Sequence, residues 1–245
     1  MPVIRLTTVV KWLLIFNVGF FLIQLFSDTF FGTSILEIFA LVPAHVFQKA
    51  TLWQFLTYMF FHADLFHILF NMLILWMIGS ELEQQWGSRF FLKYYFICGL
   101  SGGFIYFFIQ IFFKGTSTNY IPMMGSSGAI YGLLVAYGII YSERLLLFMM
   151  IFPMKAKHFV LLLAAIEFIS TVFYSRSGVA NAAHLGGMVV GFSYLFIKAY
   201  LRVRKKRKPF TKKQSKERPS YLKLVVNNEV ISEFDENDEE DNTYH

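Results

Sequence analysis

The chain has 245 residues, of which 56% are hydrophobic and only 16% are charged. Its mean hydropathy is +0.51. Soluble domains carry about 25% charged residues, so this composition predicts an integral membrane protein. The net charge of +6 does not indicate a nucleic-acid partner, because half of the 22 basic residues lie in the last 45 positions. The single cysteine, Cys98, excludes an internal disulfide and a cysteine-based zinc site, and we expect no metal or other cofactor.

Six apolar stretches along the chain predict membrane-spanning helices. They cover residues 8–26, 65–79, 90–113, 127–142, 158–174 and 182–200, and a polar loop 81–88 follows the second. Asp64 can cap the second helix, since its carboxylate accepts from free backbone N–H groups. We therefore predict an all-α polytopic membrane protein, a six-transmembrane-helix bundle over residues 1–200, followed by a disordered, charged cytoplasmic tail over 201–245.

The segment between the first two predicted spans is mixed in character. It contains a cluster of aromatic residues, Trp53, Phe55, Tyr58, Phe60 and Phe61. Such clusters are typical of an aromatic belt at a membrane interface. The first apolar run is not followed by a small-residue cleavage site, so we interpret it as a span and not as a removed signal.

The distribution of basic residues predicts the orientation of the chain. With six spans both termini share one side, and that side holds Arg5, Lys11, Arg89, Lys93, Arg144, Lys155, Lys157, Lys198 and the cluster 202–218. The other side holds only Lys49, Lys114 and Arg176. We therefore expect both termini in the cytoplasm. The tail cluster, with ten basic residues and one acidic residue, is suited to membrane lipids with anionic headgroups.

Polar residues inside predicted spans are costly and therefore indicate function. His67 and Asn71 are four positions apart, on one face of the second helix. Ser127 opens the fourth span and His184 opens the sixth. In the predicted topology all four enter from the outer side and lie at one depth, which favours a single site.

The fourth predicted span is also short. Sixteen residues reach about 24 Å, less than a hydrocarbon core of about 30 Å, so a recessed end can admit water to Ser127. Gly128 and Gly132 on this span, and Gly187 and Gly191 on the sixth, form small-xxx-small patterns that let membrane helices approach closely. Close approach brings His184 to Ser127. Tyr131, one turn after Ser127, is placed to stack on the imidazole.

Three motifs, each on its own span, resemble those of the rhomboid family of intramembrane serine proteases. They are His62-Ala-Asp-Leu-Phe-His67-Ile-Leu-Phe-Asn71, then Gly125-Ser126-Ser127-Gly128 with Tyr131, and Ala183-His184-Leu-Gly-Gly187-Met-Val-Val-Gly191. The turn from Gly79 through Trp86-Gly87 is similar as well. The resemblance covers about residues 50–200, and the order of the three motifs makes it specific.

The resemblance implies acyl-transfer chemistry by a serine–histidine dyad. Ser127 rather than Ser126 is the nucleophile and His184 is its general base, with no obvious carboxylate next to it. Asn71, His67 and the Ser127 backbone N–H bind the oxyanion. The supporting residues are Tyr131, His62, Gly125, Gly128, Gly187 and Gly191.

The resemblance also implies partners and a location. The substrates are single-span membrane proteins whose helix unwinds locally and enters near the second and fifth spans. The composition and compact form suggest a bacterial inner membrane. Glu167, within the fifth span, is interpreted as packing support or as part of substrate gating. The loop 27–50 lacks a Trp-Arg pair found in part of the family, which leaves its embedding in the membrane open.

Two other functions are considered. A rhomboid-like pseudoprotease, acting as a membrane client-binding protein, lacks the serine or the histidine, and both are present here. A small transporter or channel requires polar groups along a path through both leaflets, whereas these lie on one side. The natural substrate, the cut site and the oligomeric state are not determined by the sequence.

Overall fold

The computed structural model describes residues 5–30, 35–114, 119–148, 152–173, 178–206, 223–226 and 229–233. Within these ranges, five helices are long and apolar enough to cross a membrane: Thr8–Phe30, Leu65–Trp86, Ser88–Phe113, Ala156–Phe173 and Asn181–Lys205. Each coincides with a predicted span. The fourth predicted span, 127–142, is a shorter apolar helix, Ser127–Ile140. The predicted all-α polytopic membrane fold is therefore confirmed.

Five of the predicted spans correspond to α1 (Thr8–Phe30), α7 (Ser88–Ile109), α8 (Ser127–Ile140), α9 (Ala156–Phe173) and α10 (Gly178–Lys206). The second span consists of α5 (Leu65–Ile74), a π-helical segment (Leu75–Gly79) and α6 (Ser80–Trp86). A second π-helical segment, Gln110–Lys114, extends α7. The polar loop predicted over 81–88 is wrong, because the helix continues to Trp86.

Glu83 explains why the helix continues through its acidic residues. Its carboxylate accepts from the Thr7 hydroxyl and from the backbone N–H groups of Val9 and Val10, the latter at 2.9 Å. These N–H groups have no partner within α1, because they belong to its first turn. Glu83 thus caps α1 from α6 and joins the first span to the second.

The segment between α1 and α5 is built from short helices: α2 (Leu36–Phe39), α3 (Pro43–Lys49), α4 (Gln54–Thr57) and a 3₁₀ turn (Tyr58–Phe60). The predicted aromatic belt is wrong for Phe55, Tyr58 and Phe61, which are buried. The Tyr58 hydroxyl donates to the Gly99 carbonyl of α7 at 2.6 Å. This part of the segment therefore belongs to the core of the protein.

Helix α8 lies at the centre of that core. Eleven of its fourteen residues are buried, and it packs against α7 and α9. Helix α9 differs sharply, since only Ala156 and Glu167 of its eighteen residues are buried.

One end of the bundle is joined by ion pairs. The strands β1 (Leu145–Phe148) and β2 (Phe152–Lys155) pair antiparallel between α8 and α9. Glu143 binds Lys155 at 2.7 Å and also Lys157, and these hydrogen bonds lower the pKa of Glu143 to about 2. Arg144 pairs with Glu81 of α6. The C-terminal ends of the second span and of α8 therefore meet the start of α9.

Contacts divide the chain into two units, Met1–Ala199 and Tyr200–His245. In the second unit β3 (Lys223–Val226) pairs antiparallel with β4 (Glu229–Glu233). These strands and the last residues of α10 lie within 201–245, and the disorder expected for that tail stays a prediction. Arg176 and most of the basic cluster 202–218 lie outside the described residues.

Candidate active site

The chain makes a sharp turn at Gly125, just before α8 begins. The Gly125 N–H donates to the Tyr58 carbonyl at 2.9 Å, and its φ of 121° is a conformation that favours glycine. A Cβ atom here would lie 2.7 Å from the His67 ring and 3.6 Å from Ser127 Oγ. Gly125 therefore permits both the turn and the close approach of His67.

Ser127 and His184 meet at the start of α8. The Ser127 Oγ lies 2.7 Å from the His184 Nε2. Ser127 is 6% exposed, and the His184 side chain is 20% exposed. The two side chains are thus hydrogen-bonded at the edge of the core, close to the surface.

Glycines bring α10 against α8. A Cβ atom at Gly187 would lie 2.1 Å from the Gly128 carbonyl oxygen, and one at Gly191 would lie 3.3 Å from the Gly132 Cα. The two backbones are therefore in direct contact, with no room for side chains between them. The small-xxx-small pattern predicted this packing, and it sets the position of His184 relative to Ser127.

The imidazole of His184 has two further neighbours. The Tyr131 ring stacks on it, with ring centroids 4.5 Å apart and planes 10° apart. The Glu167 Oε1 lies 3.2 Å from the His184 Nδ1 and accepts a hydrogen bond from the Tyr131 hydroxyl. The expectation that no carboxylate lies next to His184 is therefore wrong. Glu167 is on another helix, so linear spacing did not reveal the contact, although a buried acid in an apolar span was a signal.

Helix α5 supplies the predicted oxyanion donors. Asp64 caps it as predicted, accepting from the His67 N–H at 2.8 Å. Asn71 is 6% exposed, and its Nδ2 has no hydrogen-bond partner within the described part of the chain. A buried amide donor without a partner is costly, and it is available to a ligand.

His62 and Ser126 lie behind the site. His62 is fully buried, and burial lowers the pKa of His62 to about 3, so its ring is neutral. Its Nε2 lies 3.5 Å from the Ser126 Oγ, at the outer limit of a hydrogen bond. The Gln24 side chain bonds the His62 backbone, donating to its carbonyl at 2.9 Å, a contact that the sequence did not predict.

In the described ranges, no group of three or more histidine, cysteine, aspartate or glutamate side chains is placed to hold a metal ion.

Comparison with known proteins places the chain in a family. The Rhomboid domain model matches residues 49–201. The Rhomboid protease GlpG of Haemophilus influenzae is 30% identical over 162 residues, which cover 65% of this chain and 77% of that protein. The Rhomboid protease GluP of Bacillus subtilis is 27% identical over 173 residues, which cover 71% of this chain. RHOMBOID-like protein 1 of Arabidopsis thaliana is 34% identical over 160 residues, which cover 64% of this chain.

The match covers only 31% of the length of GluP and 37% of the length of RHOMBOID-like protein 1. The three motifs identified above all lie within the matched segment 49–201. Since the family match covers more than half of the sequence, this protein belongs to the rhomboid family.

Proposed function

We propose that this protein is an intramembrane serine endopeptidase that cleaves transmembrane segments of other membrane proteins. The observation that carries the proposal is the 2.7 Å contact between Ser127 Oγ and His184 Nε2. Family relatives named as proteases support it. No cofactor takes part.

The proposed chemistry is acyl transfer through a covalent intermediate. Neutral His184 takes the Ser127 proton as the hydroxyl oxygen attacks a substrate carbonyl carbon. The protonated imidazole then gives that proton to the leaving amine. Water hydrolyses the acyl-enzyme in the second half of the reaction, with His184 as the base again.

Three donors are proposed for the oxyanion. The Asn71 Nδ2 is buried without a partner among the described residues, and the His67 ring lies against the turn at Gly125. The Ser127 backbone N–H belongs to the first turn of α8, where N–H groups lack helical partners and the helix dipole is positive. These groups suit a negative charge that develops during attack.

The substrate proposed is a membrane protein with a single span. Fourteen residues of α8 extend only about 21 Å, less than a hydrocarbon core of about 30 Å, so one end of the helix is recessed. We propose that this is the end with Ser127, where hydrolysis needs water. The substrate helix must unwind there, which small residues and glycine facilitate. Entry beside α9 is proposed because that helix buries so little of its surface.

Labelling with a fluorophosphonate tests this proposal without knowledge of the substrate. We expect the purified protein to be labelled covalently and Ser127→Ala to lose both labelling and cleavage of a reconstituted single-span protein. Ser126→Ala is the matched control and keeps most of both. Labelling that survives in Ser127→Ala contradicts the assignment. A wild-type protein that binds single-span clients but is neither labelled nor active is a pseudoprotease.

A further inference from the structure

Glu167 is an acidic residue in an unusual position. It lies in the middle of α9, an apolar helix whose other seventeen residues include only one that is buried, Ala156. A carboxyl group in such a helix is costly unless a partner compensates for it. Glu167 is 7% exposed and turns toward the site at Ser127 and His184.

Its contacts explain the position. One carboxylate oxygen, Oε1, accepts from the Tyr131 hydroxyl and lies 3.2 Å from the His184 Nδ1. Tyr131 also stacks on the same imidazole with planes 10° apart. The stack fixes the plane of the ring, and the carboxylate lies beside its Nδ1 edge, although the two atoms are not aligned as a hydrogen bond among the described residues.

This arrangement also selects a tautomer. A carboxylate cannot donate, so a hydrogen bond between the two groups requires the proton to be on His184 Nδ1, and the neighbouring carboxylate favours that tautomer. The Nε2 is then free to accept from the Ser127 hydroxyl, 2.7 Å away. The opposite tautomer would place a proton on Nε2 and block the transfer. The three side chains thus have the arrangement of a serine–histidine–acid triad.

We infer that Glu167 is a positioning residue that completes a Ser127–His184–Glu167 relay, an inference that rests on the proposed function and deepens it. As the Ser127 Oγ bonds to the substrate carbonyl carbon, its proton moves to Nε2 and the carbonyl electron pair moves to the oxygen. The Nδ1 proton stays on the imidazole. Glu167 keeps its charge throughout and stabilises the imidazolium.

The test uses the full-length protein in detergent and compares the rates of labelling by a fluorophosphonate. Glu167→Gln is isosteric, and its amide oxygen can still accept from both Tyr131 and His184. This variant therefore removes the negative charge and keeps the hydrogen-bond acceptor. We expect it to slow labelling at least about 10-fold, but less than the roughly 10⁴-fold loss that follows when the triad acid of a soluble serine protease becomes an amide. Glu167→Asp recovers part of the rate. Glu143→Gln is the matched control, because it removes a carboxylate that lies outside the site, and it keeps the wild-type labelling rate.

Rescue by the conservative variant separates this role from simple packing. The described groups that face His184 are Ser127 and Tyr131 from α8, Glu167 from α9 and His67 from α5. Glu167→Gln changes only one of these groups, and Glu167→Asp restores its charge. An unchanged labelling rate in Glu167→Gln would overturn the inference.

A readout that does not depend on activity distinguishes the two proposals. In ¹⁵N–¹H spectra of the imidazoles, the Nδ1 proton of His184 is assigned by its absence in His184→Ala. We expect this resonance to move upfield in Glu167→Gln, also in a Ser127→Ala background. If the wild-type protein is not labelled but the resonance moves, the proposed function fails and the Glu167–His184 bond stands. A resonance that does not respond to Glu167→Gln overturns the bond itself.

Discussion

The Asn71 amide is a buried donor that is available to a ligand. Its Nδ2 is buried and has no hydrogen-bond partner among the described residues, whereas the backbone N–H of His67, one turn earlier, donates to Asp64. An unsatisfied buried donor costs about 1–3 kcal/mol of stability, and a bond to the oxyanion during the proposed reaction would satisfy it.

Asn71→Asp should abolish that donor while preserving the size of the side chain. We expect kcat to fall about 100- to 1,000-fold, as when one oxyanion donor is lost, with little change in KM. Kinetics on a reconstituted single-span substrate measure this. Ser80→Ala is the control, since Ser80 Oγ is another buried polar atom of the same span without a partner within the described ranges. Wild-type kcat in Asn71→Asp would remove Asn71 from the oxyanion site.

Individual residues also show where sequence reasoning reached its limit. The spacing of His67 from Asn71, and of the glycines from each other, predicted which side chains share a face, because helical periodicity is local. The contact between Glu167 and His184 joins two helices whose relative rotation no periodicity determines. A buried acid indicated that a partner existed but did not identify it.

At the scale of helices, packing between α8 and α10 decides the geometry of the dyad. The Gly187 Cα faces the Gly128 carbonyl so closely that any Cβ atom would overlap it, at 2.1 Å. The overlapping atom belongs to the backbone, so it cannot rotate away as a side chain would. An added methyl group must instead move the helices apart.

Gly187→Ala should therefore weaken both the fold and the site. A displacement of about 1 Å at the reacting atoms can cost about 100-fold in rate, and we expect a loss of this order in fluorophosphonate labelling, with a lower melting temperature. Gly19→Ala is the matched control in α1, where a Cβ atom would meet nothing within 4 Å. It should leave labelling unchanged and stabilise the helix by up to about 1 kcal/mol. A fully active Gly187→Ala protein would argue against contact between these backbones.

Helix boundaries were predicted less well than helix positions. The second span was expected to end before Glu81, because acidic residues usually mark a loop. Glu83 instead caps α1 and Glu81 pairs with Arg144, so both carboxylates are satisfied within a continuous helix. A sequence displays the charge of such residues but not the partners that make the charge acceptable.

For the whole molecule, the ion pairs place at one end of the bundle three basic residues that the sequence had assigned to one side of the membrane. Arg144, Lys155 and Lys157 were assigned from sequence to the cytoplasmic side. The first of these pairs with Glu81 and the other two with Glu143, so they lie at one end of the bundle. The N-terminus of α8, which carries Ser127, lies at the opposite end of that helix. The orientation with respect to the cell stays a proposal.

Single introduced cysteines test that orientation. Cys98 is buried, so a membrane-impermeant maleimide should leave the wild-type protein unlabelled. We expect Ser117→Cys, in the polar sequence between the third and fourth predicted spans, to be labelled in intact bacterial cells. Ser215→Cys, in the basic tail, should react only after the cells are permeabilised. The reverse pattern would place both termini outside.

The contact between Gly128 and Gly187 bears on how the sequence of this protein can change to suit different membranes. The separation of the proposed nucleophile and base depends on contact between main-chain atoms, which are the same whatever residues surround them. Many side chains on α9 and α10 face outward, among them Phe168, Phe192 and Phe196. These can change to suit a bilayer of different thickness or lipid composition, and the distance between the two reacting atoms is preserved.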